Sequence, residues 1–400
     1  MKQRNSDKYR AKATDFQRTF MNHNVVDKQN EMKRTAKSTL HILATISVLL
    51  LMTGTTLFAQ VSETKVVKKS FKVEKSTILD IGNKYGDVSI ETWEKDSVLV
   101  SIKYTVSEKN YEKLDKKMNE ISFELTQSGH YVVVNTIIGN SKNMFLSELI
   151  KFKETIGVGE SLVDININLK IPNNLDLRIK NKFGNIYIDD YKGDITIDLS
   201  NGKLKAHELT GYTNLKLNFG DAVIKKIDSG NLEIYYSDFN LANSRHLRIT
   251  SKTSDITITE VEQLLVNSSR DDYRIRMISD FETEANWTDF SINEFQLKSN
   301  IKMNYGELTI ENIQPSMENL MIDAKSTRIN LFFDKETDVN FDIITNKDLN
   351  LPNEAKIDSS EAINEKEKIM RYMGRTGKIE KGKPKLILNT SSADISILKR

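Results

Sequence analysis

Phe183-Gly184-Asn185-Ile186-Tyr187-Ile188, Asn201-Gly202-Lys203-Leu204-Lys205-Ala206 and Phe219-Gly220-Asp221-Ala222-Val223-Ile224 are successive copies of one short pattern. The turn pair recurs at Ser237-Asp238, Ser254-Asp255, Asp271-Asp272, Thr288-Asp289 and Gly306-Glu307. From Gly184 onward the steps between first members are 18, 18, 17, 17, 17, 17 and 18 residues. A fixed period of this size marks a solenoid, in which each unit buries its apolar face only against its neighbours.

Two and four residues after the first turn residue nearly every row is apolar, as in Ile186/Ile188, Leu204/Ala206, Phe239/Leu241, Ile256/Ile258, Tyr273/Ile275 and Phe290/Ile292. A third apolar residue follows at the seventh position in Leu209, Ile227, Val261, Ile278, Phe295 and Ile313. A second alternating pair comes later in each row, for example Ile195/Ile197, Leu215/Leu217 and Leu247/Ile249. Alternation with period two means strands with one face in and one face out. The expected fold is all-β: a right-handed parallel β-solenoid with two short strands per coil of 17–18 residues. The handedness follows from the usual sense of parallel crossovers. An antiparallel sandwich would not keep a constant turn phase through eight rows, and a leucine-rich repeat needs a fixed Asn or Cys and a helical half.

Apolar residues make up 38% of the chain and charged ones 28%, which suits a thin, solvent-washed body rather than a thick core. The formal net charge of +2 gives no strong pull toward nucleic acid, and no zinc-finger or RNA-binding aromatic signature occurs. The absence of cysteine excludes thiol catalysis, disulfides, thiolate metal sites and a lipidated cysteine. Four prolines in 400 residues fit strands that must keep their ladder donors.

Residues 39–60 read as a secretory signal: Lys33, Arg34 and Lys37 precede an apolar stretch that ends at the small residue Ala59. Uncleaved, the same segment is long enough for a signal-anchor helix, and its positive flank keeps that end cytoplasmic. Met32 offers a natural start, so residues 1–38 are expected to be cytoplasmic or an upstream extension. Export across the inner membrane follows in either case, to periplasm, envelope or surface.

The Tyr85-Gly86-Asp87 row, with Val88, Ile90 and Trp93 and then Val98, Val100 and Ile102, is expected to form the first coil, within residues 64–102. An insertion over 103–174 follows, giving the fold an α/β segment. Tyr111, Leu114, Met118 and Ile121 have helical spacing, residues 121–138 read as a hairpin around Ser128-Gly129, and 139–160 as a mobile loop. The array proper covers 175–333. Residues 334–400 read as a polar excursion and then a C-terminal strand cap that hides the last open edge.

Asn83-Lys84-Tyr85-Gly86-Asp87-Val88-Ser89-Ile90, Lys182-Phe183-Gly184-Asn185-Ile186 and the closing Asn389-Thr390-Ser391-Ser392-Ala393-Asp394-Ile395-Ser396-Ile397 resemble a known group. Over roughly residues 64–400 the chain is similar to the adhesin-domain proteins of the bacterial cell envelope, a domain of unknown function. The resemblance implies an exported parallel β-solenoid and transfers no catalytic residue. Where that family has glycine this chain has Ala393, Asp271 and Thr288, which predicts backbone strain at those positions.

The turn column Gly86, Gly184, Gly202, Gly220 and Gly306 is read as structural. So is the acidic column Asp221, Asp238, Asp255, Asp272 and Asp289, extended by Glu307: each carboxylate is expected to accept turn amides rather than to bind cations. The aromatic column Tyr85, Phe183, Phe219, Tyr236, Trp287 and Tyr305 is expected to pack into the corner. His207 and His246 fall in different columns, so no metal or cofactor is expected. Outward positions Thr196, Lys216, Glu233, Arg248, Leu265, Glu282, Lys302 and Met321 are expected to pair as one ladder. The functional expectation is a non-enzymatic envelope protein with a long binding or structural surface. A cell-surface glycan or an envelope protein is the partner class such a surface takes, and membrane contact is confined to residues 39–59. The alternative is a polysaccharide-cleaving enzyme of β-helix type, for which Arg270, Asp271, Asp272 and Arg274 come closest to a charged groove.

Overall fold

The computed structural model describes residues 60–139, 161–379, 382 and 385–400. The candidate signal segment and the expected 139–160 loop lie outside these residues, apart from Gly139 and Gln60. Among the described residues no helix is long and apolar enough to cross a membrane.

In chain order, β1 (Val61–Lys72) leads to β2 (Ile78–Lys84) and β3 (Val88–Thr92), the two arms of one coil joined through Tyr85-Gly86. The insertion contains β4 (Ser97–Glu108), helix α1 (Tyr111–Asn119), β5 (Ile121–Ser128), β6 (Tyr131–Ile138) and β7 (Ser161–Ile171). The array resumes with β8 (Asp176–Lys182), β9 (Ile186–Ile188) and β10 (Ile195–Ser200). Long strands follow: β11 (Lys203–Asn218), β12 (Asp221–Tyr235), β13 (Asp238–Lys252), β14 (Asp255–Ser269), β15 (Asp272–Asn286), β16 (Asp289–Ile313) and β17 (Asn319–Phe333). The chain ends with β18 (Asn340–Thr345), β19 (Leu349–Asn350), β20 (Lys356–Asn364), β21 (Ile369–Arg375), β22 (Leu386–Ser391) and β23 (Asp394–Lys399).

Each of β11 to β16 pairs in parallel with the next strand, and the whole is a β-solenoid of about nine turns. Like residues stack on like: Ala222 on Phe239, Ile256, Tyr273 and Phe290, with every one of these side chains buried. The seventh-position residues and the second alternating pairs point inward too, so the apolar columns form one continuous core. A fully buried Ile, Leu or Phe contributes about 1.5–3 kcal/mol, and each coil supplies several.

The end coils have the two expected short strands, as in β2/β3 and β22/β23, but in β11 to β17 they merge into one long strand. In β12 the ladder runs from Asp221 to Tyr235 and drops out only at Lys225 and Asp228. A single corner residue is enough to turn the chain, so hydrogen bonding resumes at once and the strand is nearly continuous. The difference between 17- and 18-residue coils is absorbed at the same corner. Leu209 pairs with Ile227 but Tyr212 with Ser229, and Ile278 pairs with Phe295 but Asp280 with Lys298.

At the N-terminal end β2 and β3 pair in parallel with β8 and β9, so the Gly86 row joins the array across the insertion. The insertion covers the other side of this coil, with β6 parallel to β2 and β7 parallel to β3. Val98, Val100 and Ile102 do not complete a coil. They lie on β4, which runs antiparallel to β7 and carries β1 antiparallel on its outer edge. Antiparallel strands end the stack here among the described residues, and lysines along β1 (Lys65, Lys68, Lys69, Lys72) discourage edge-to-edge association. Helix α1 starts at Asn110, whose side chain accepts the Lys113 N–H at 3.0 Å, and it buries Leu114 and Met118 while Tyr111 stays exposed. The expected hairpin forms, with Ser128 opposite Tyr131.

The C-terminal strands are not the terminal cap. β22 and β23 stack on β17, but β18 and β19 lie beyond them, paired in parallel with β22 and β23. The last rung in sequence is therefore inserted between two earlier ones. The outer edge is formed by the antiparallel pair β20–β21, which lies on β18 and whose β20 is exposed along nearly its full length. A polar hairpin covers the edge here, where sequence order alone pointed to β23.

Candidate binding surfaces

The left-handed backbone position falls one residue before the turn glycine. Tyr85, Phe183, Asn201, Phe219, Tyr236, Thr253, Arg270, Trp287, Tyr305, Ser326 and Ser392 all have φ between 51° and 62°. Ala393, Asp271 and Thr288 are thus free of the strain expected of them. Gly86 and Gly306 keep a positive φ of their own, 155° and 116°, and the other column glycines answer to close approach: a Cβ on Gly202 would lie 2.0 Å from the Gly184 carbonyl oxygen, and one on Gly184 1.9 Å from that of Gly86. Where the column has a side chain, that side chain accepts an amide from the coil before. Gly220 N–H donates to Ser237 Oγ at 3.2 Å, Ser237 N–H to Ser254 Oγ at 3.3 Å, and Ser254 N–H to Asp271 Oδ1 at 2.8 Å.

Asp271 is the buried end of this chain of bonds, 5% exposed. Its Oδ2 accepts from Ser251 Oγ at 2.7 Å, Ser268 Oγ at 2.5 Å and Ser269 N–H at 3.0 Å. Ser251 also bonds the buried Tyr273 hydroxyl at 2.6 Å. Burial pushes the Asp271 carboxyl above its usual range, although the Ser268 and Ser251 hydroxyls pull it back. The adjacent Asp272 points the other way, to solvent, and pairs with Arg274 at 2.8 Å. The Asp271 and Asp272 carboxylates therefore face apart and do not share one groove.

The acidic residues do stack in register from Asp221 to Asp289. The expected hydrogen bond from a turn N–H to the carboxylate is present at Asp289, whose Oδ1 accepts Glu307 N–H at 2.8 Å, and at Asp87, whose Oδ1 accepts Asn185 N–H; the carboxamide oxygen of Asn185 accepts Lys203 N–H in the same way. In the middle rows the amides go elsewhere: Asp238, Asp255 and Asp272 donate their own N–H to the carbonyls of Gly220, Ser237 and Ser254. That leaves their carboxylates facing water, tempered by Lys203 at 2.9 Å from Asp221 and by Arg274 at 3.8 Å from Asp255. Among the described residues no group of three His, Asp or Glu is arranged to hold a metal. His207 contacts Asp190 and Lys225, and His246 lies in another column beside Ser229 and Gln263.

Tyr85 and Phe183 are half-buried and stack at 5.6 Å, but the other four aromatics of the column do not pack into the corner. Phe219 and Trp287 are each 59% exposed, Tyr236 46% and Tyr305 38%. A residue with positive φ throws its Cβ away from the inward side of the turn, so these rings form an outer ladder. Sequence reasoning missed this because it placed the special φ on the glycine.

A shallow groove of about 650 Å³ occupies a different face. Its floor follows one ladder column, Tyr212, Ser229, His246, Gln263, Asp280, Lys298 and Asn319, and the adjacent column of Arg248, Leu265, Glu282, Asn300 and Met321. Seven rungs at about 4.8 Å make it roughly 29 Å long. Gln263 donates to Asp280 at 3.3 Å and Lys298 lies 3.5 Å from it, which fixes part of the lining. The outward residues singled out by sequence divide between two columns. Thr196, Arg248, Leu265, Glu282 and Met321 share this one, whereas Lys216, Glu233 and Lys302 belong to the next, with Lys216 paired to Glu233 at 3.5 Å. The extra residue in some coils shifts the numbering from one column to the other.

No protein-family model matches this chain, and no curated protein matches it. Among solved structures it is similar to a Clostridium sporogenes protein described as a candidate cell adhesion protein. That similarity has 12% identity, covers 84% of this chain and 98% of the other, and has a TM-score of 0.17. A likeness of this size carries no inference about function.

Proposed function

We propose that this protein is a non-enzymatic, exported solenoid that binds an extended partner along its side, a cell-surface glycan or an envelope protein. The observation that supports it is the groove from Tyr212 to Met321, open along the stack and lined by amides and by charges of both signs. Such a lining offers donors and acceptors at a regular spacing, as a polymer requires, without a strong field. The apolar segment 39–59 acts as the export leader or anchor, and the coils wind in the right-handed sense.

The test is binding of the 60–400 unit, which is compact by itself, to a glycan array and to whole cells. Retention should fall at least tenfold when Arg248 and Asn300 are both changed to Ala. No retention on any glycan or cell surface would overturn the reading. So would cleavage of a polysaccharide panel that disappears in Asp272→Asn.

A further inference from the structure

The aromatic ladder at the turn edge is interrupted. Phe219 and Tyr236 stack at 5.0 Å with planes 4° apart, and Trp287 and Tyr305 stack at 4.2 Å and 10°. Between the pairs the same turn position carries Thr253 and then Arg270, both with positive φ and both projecting outward. Tyr236 therefore turns a free face toward the Thr253 rung, and Trp287 one toward the Arg270 rung. Three rungs at about 4.8 Å separate these faces by roughly 14 Å. A ring packs on an aromatic face at about 4.5–7 Å, and a guanidinium lies within about 6 Å of one. One ligand ring over Thr253 and the Arg270 guanidinium against Trp287 would fill the interval and continue the ladder.

The charges around the gap select the ligand. Arg270 has no ion pair or side-chain hydrogen bond among the described residues. Two residues along each turn stand Asp238, Asp255, Asp272 and Asp289, exposed or half-exposed. A phosphate or polyuronate would meet this carboxylate column, and a quaternary ammonium would meet Arg270. A neutral ring with an apolar face and a hydroxyl rim suits both: its face lies on Tyr236, Arg270 donates to it and Asp255 accepts from it. We propose that the turn edge at Tyr236, Thr253, Arg270 and Trp287 is a binding site for a neutral pyranose of the kind that presents a flat C–H face, as in a β-1,4-linked glucan. This rests on the binding reading above but places the sugar on a different edge of the coil from the groove.

Trp287 reports on it directly. The chain has two tryptophans, and the other, Trp93, is engaged in the N-terminal cap with its indole N–H donating to Ser97 O at 2.8 Å. Titrating the full chain with cellohexaose should change tryptophan fluorescence saturably. Thr253→Phe, which supplies the missing ring, should weaken the response at least tenfold with the melting temperature retained. Arg270→Gln should weaken it as well. Arg248→Ala, in the groove, should leave it unchanged, so failure of the groove reading and failure of this site are distinguishable. The proposal falls if wild type gives no saturable change, or if Thr253→Phe binds as tightly as wild type. It also falls if polygalacturonate or AMP gives the response and cellohexaose does not.

Discussion

Asp271 and Asp272 are neighbours in the chain and lie on opposite sides of the sheet. The Asp271 carboxylate is buried among Ser251, Ser268 and the Ser254 and Ser269 amides, while Asp272 is paired in solvent with Arg274. The period-two alternation of a strand separates them, and gives one a structural task and the other a surface position.

Asp271→Asn should lower stability by about 1–3 kcal/mol, because an amide NH2 then faces a fixed backbone N–H. The pH dependence has a definite sign. The folded-state value is raised, so the Asp271 contribution is complete below the ordinary carboxylate value and fades as pH rises through the raised one. Melting curves should show the largest gap between wild type and variant in acid and a smaller gap at neutral pH. A gap that widens toward neutrality would refute the assignment.

Thr253 is a β-branched residue at φ 53°, with its side chain exposed. Such a conformation costs a typical L-residue about 1–2 kcal/mol, and Asn tolerates it better. Thr253→Asn should therefore raise the melting temperature, by an amount equivalent to about 1 kcal/mol. Differential scanning calorimetry decides it, and a fall would show that Thr253 makes compensating contacts.

Along the acidic column the rows should respond unequally. Asp289→Ala removes the acceptor for Glu307 N–H and should cost about 1 kcal/mol, whereas Asp238→Ala should stay within about 0.5 kcal/mol. The melting temperature should be indifferent to calcium and to a chelator. A calcium-dependent rise of several degrees would mean that the folded column binds cations by mass action.

Gly202→Ala should be among the most damaging small substitutions, since the new methyl would meet the Gly184 carbonyl at 2.0 Å. Overpacking of this kind costs about 1–3 kcal/mol even when the backbone yields. Chemical denaturation gives the value directly, and an unchanged midpoint would show that the coils can separate locally.

At the C-terminal end Asp338 accepts from Lys399 Nζ at 2.6 Å and from Lys378 N–H at 3.0 Å, and the Lys399 bond holds its carboxyl below the usual range. A depressed value means the contribution is present above the ordinary carboxylate value and lost as pH falls through the depressed one. Asp338→Asn should destabilise by about 1–2 kcal/mol at neutral pH and by little in strong acid. Equal losses at both pH values would show that the pair is not what anchors β23.

The repeat, the parallel stacking and the inward residues were legible in the sequence, because a solenoid's contacts are set by period alone. Ile256 lies beside Phe239 and Tyr273 since each is one coil from the next, and a fixed phase is visible without coordinates. The inserted helix and the Ser128-Gly129 hairpin were legible for the same local reason. Three things depended on the tertiary structure. The order of the end rungs, with β22 between β17 and β18 and β23 between β17 and β19, is a choice among pairings that are locally equivalent. The direction of Phe219, Tyr236 and Trp287 depends on which turn residue takes positive φ, and glycine composition pointed one residue too far along. The Ser251–Asp271–Ser268 network joins residues up to 20 positions apart that share no single column, so no periodic reading could assemble it. Period fixes what repeats; the caps, the turn edge and the buried polar cluster are where this chain departs from its own repeat, and there three-dimensional packing decides.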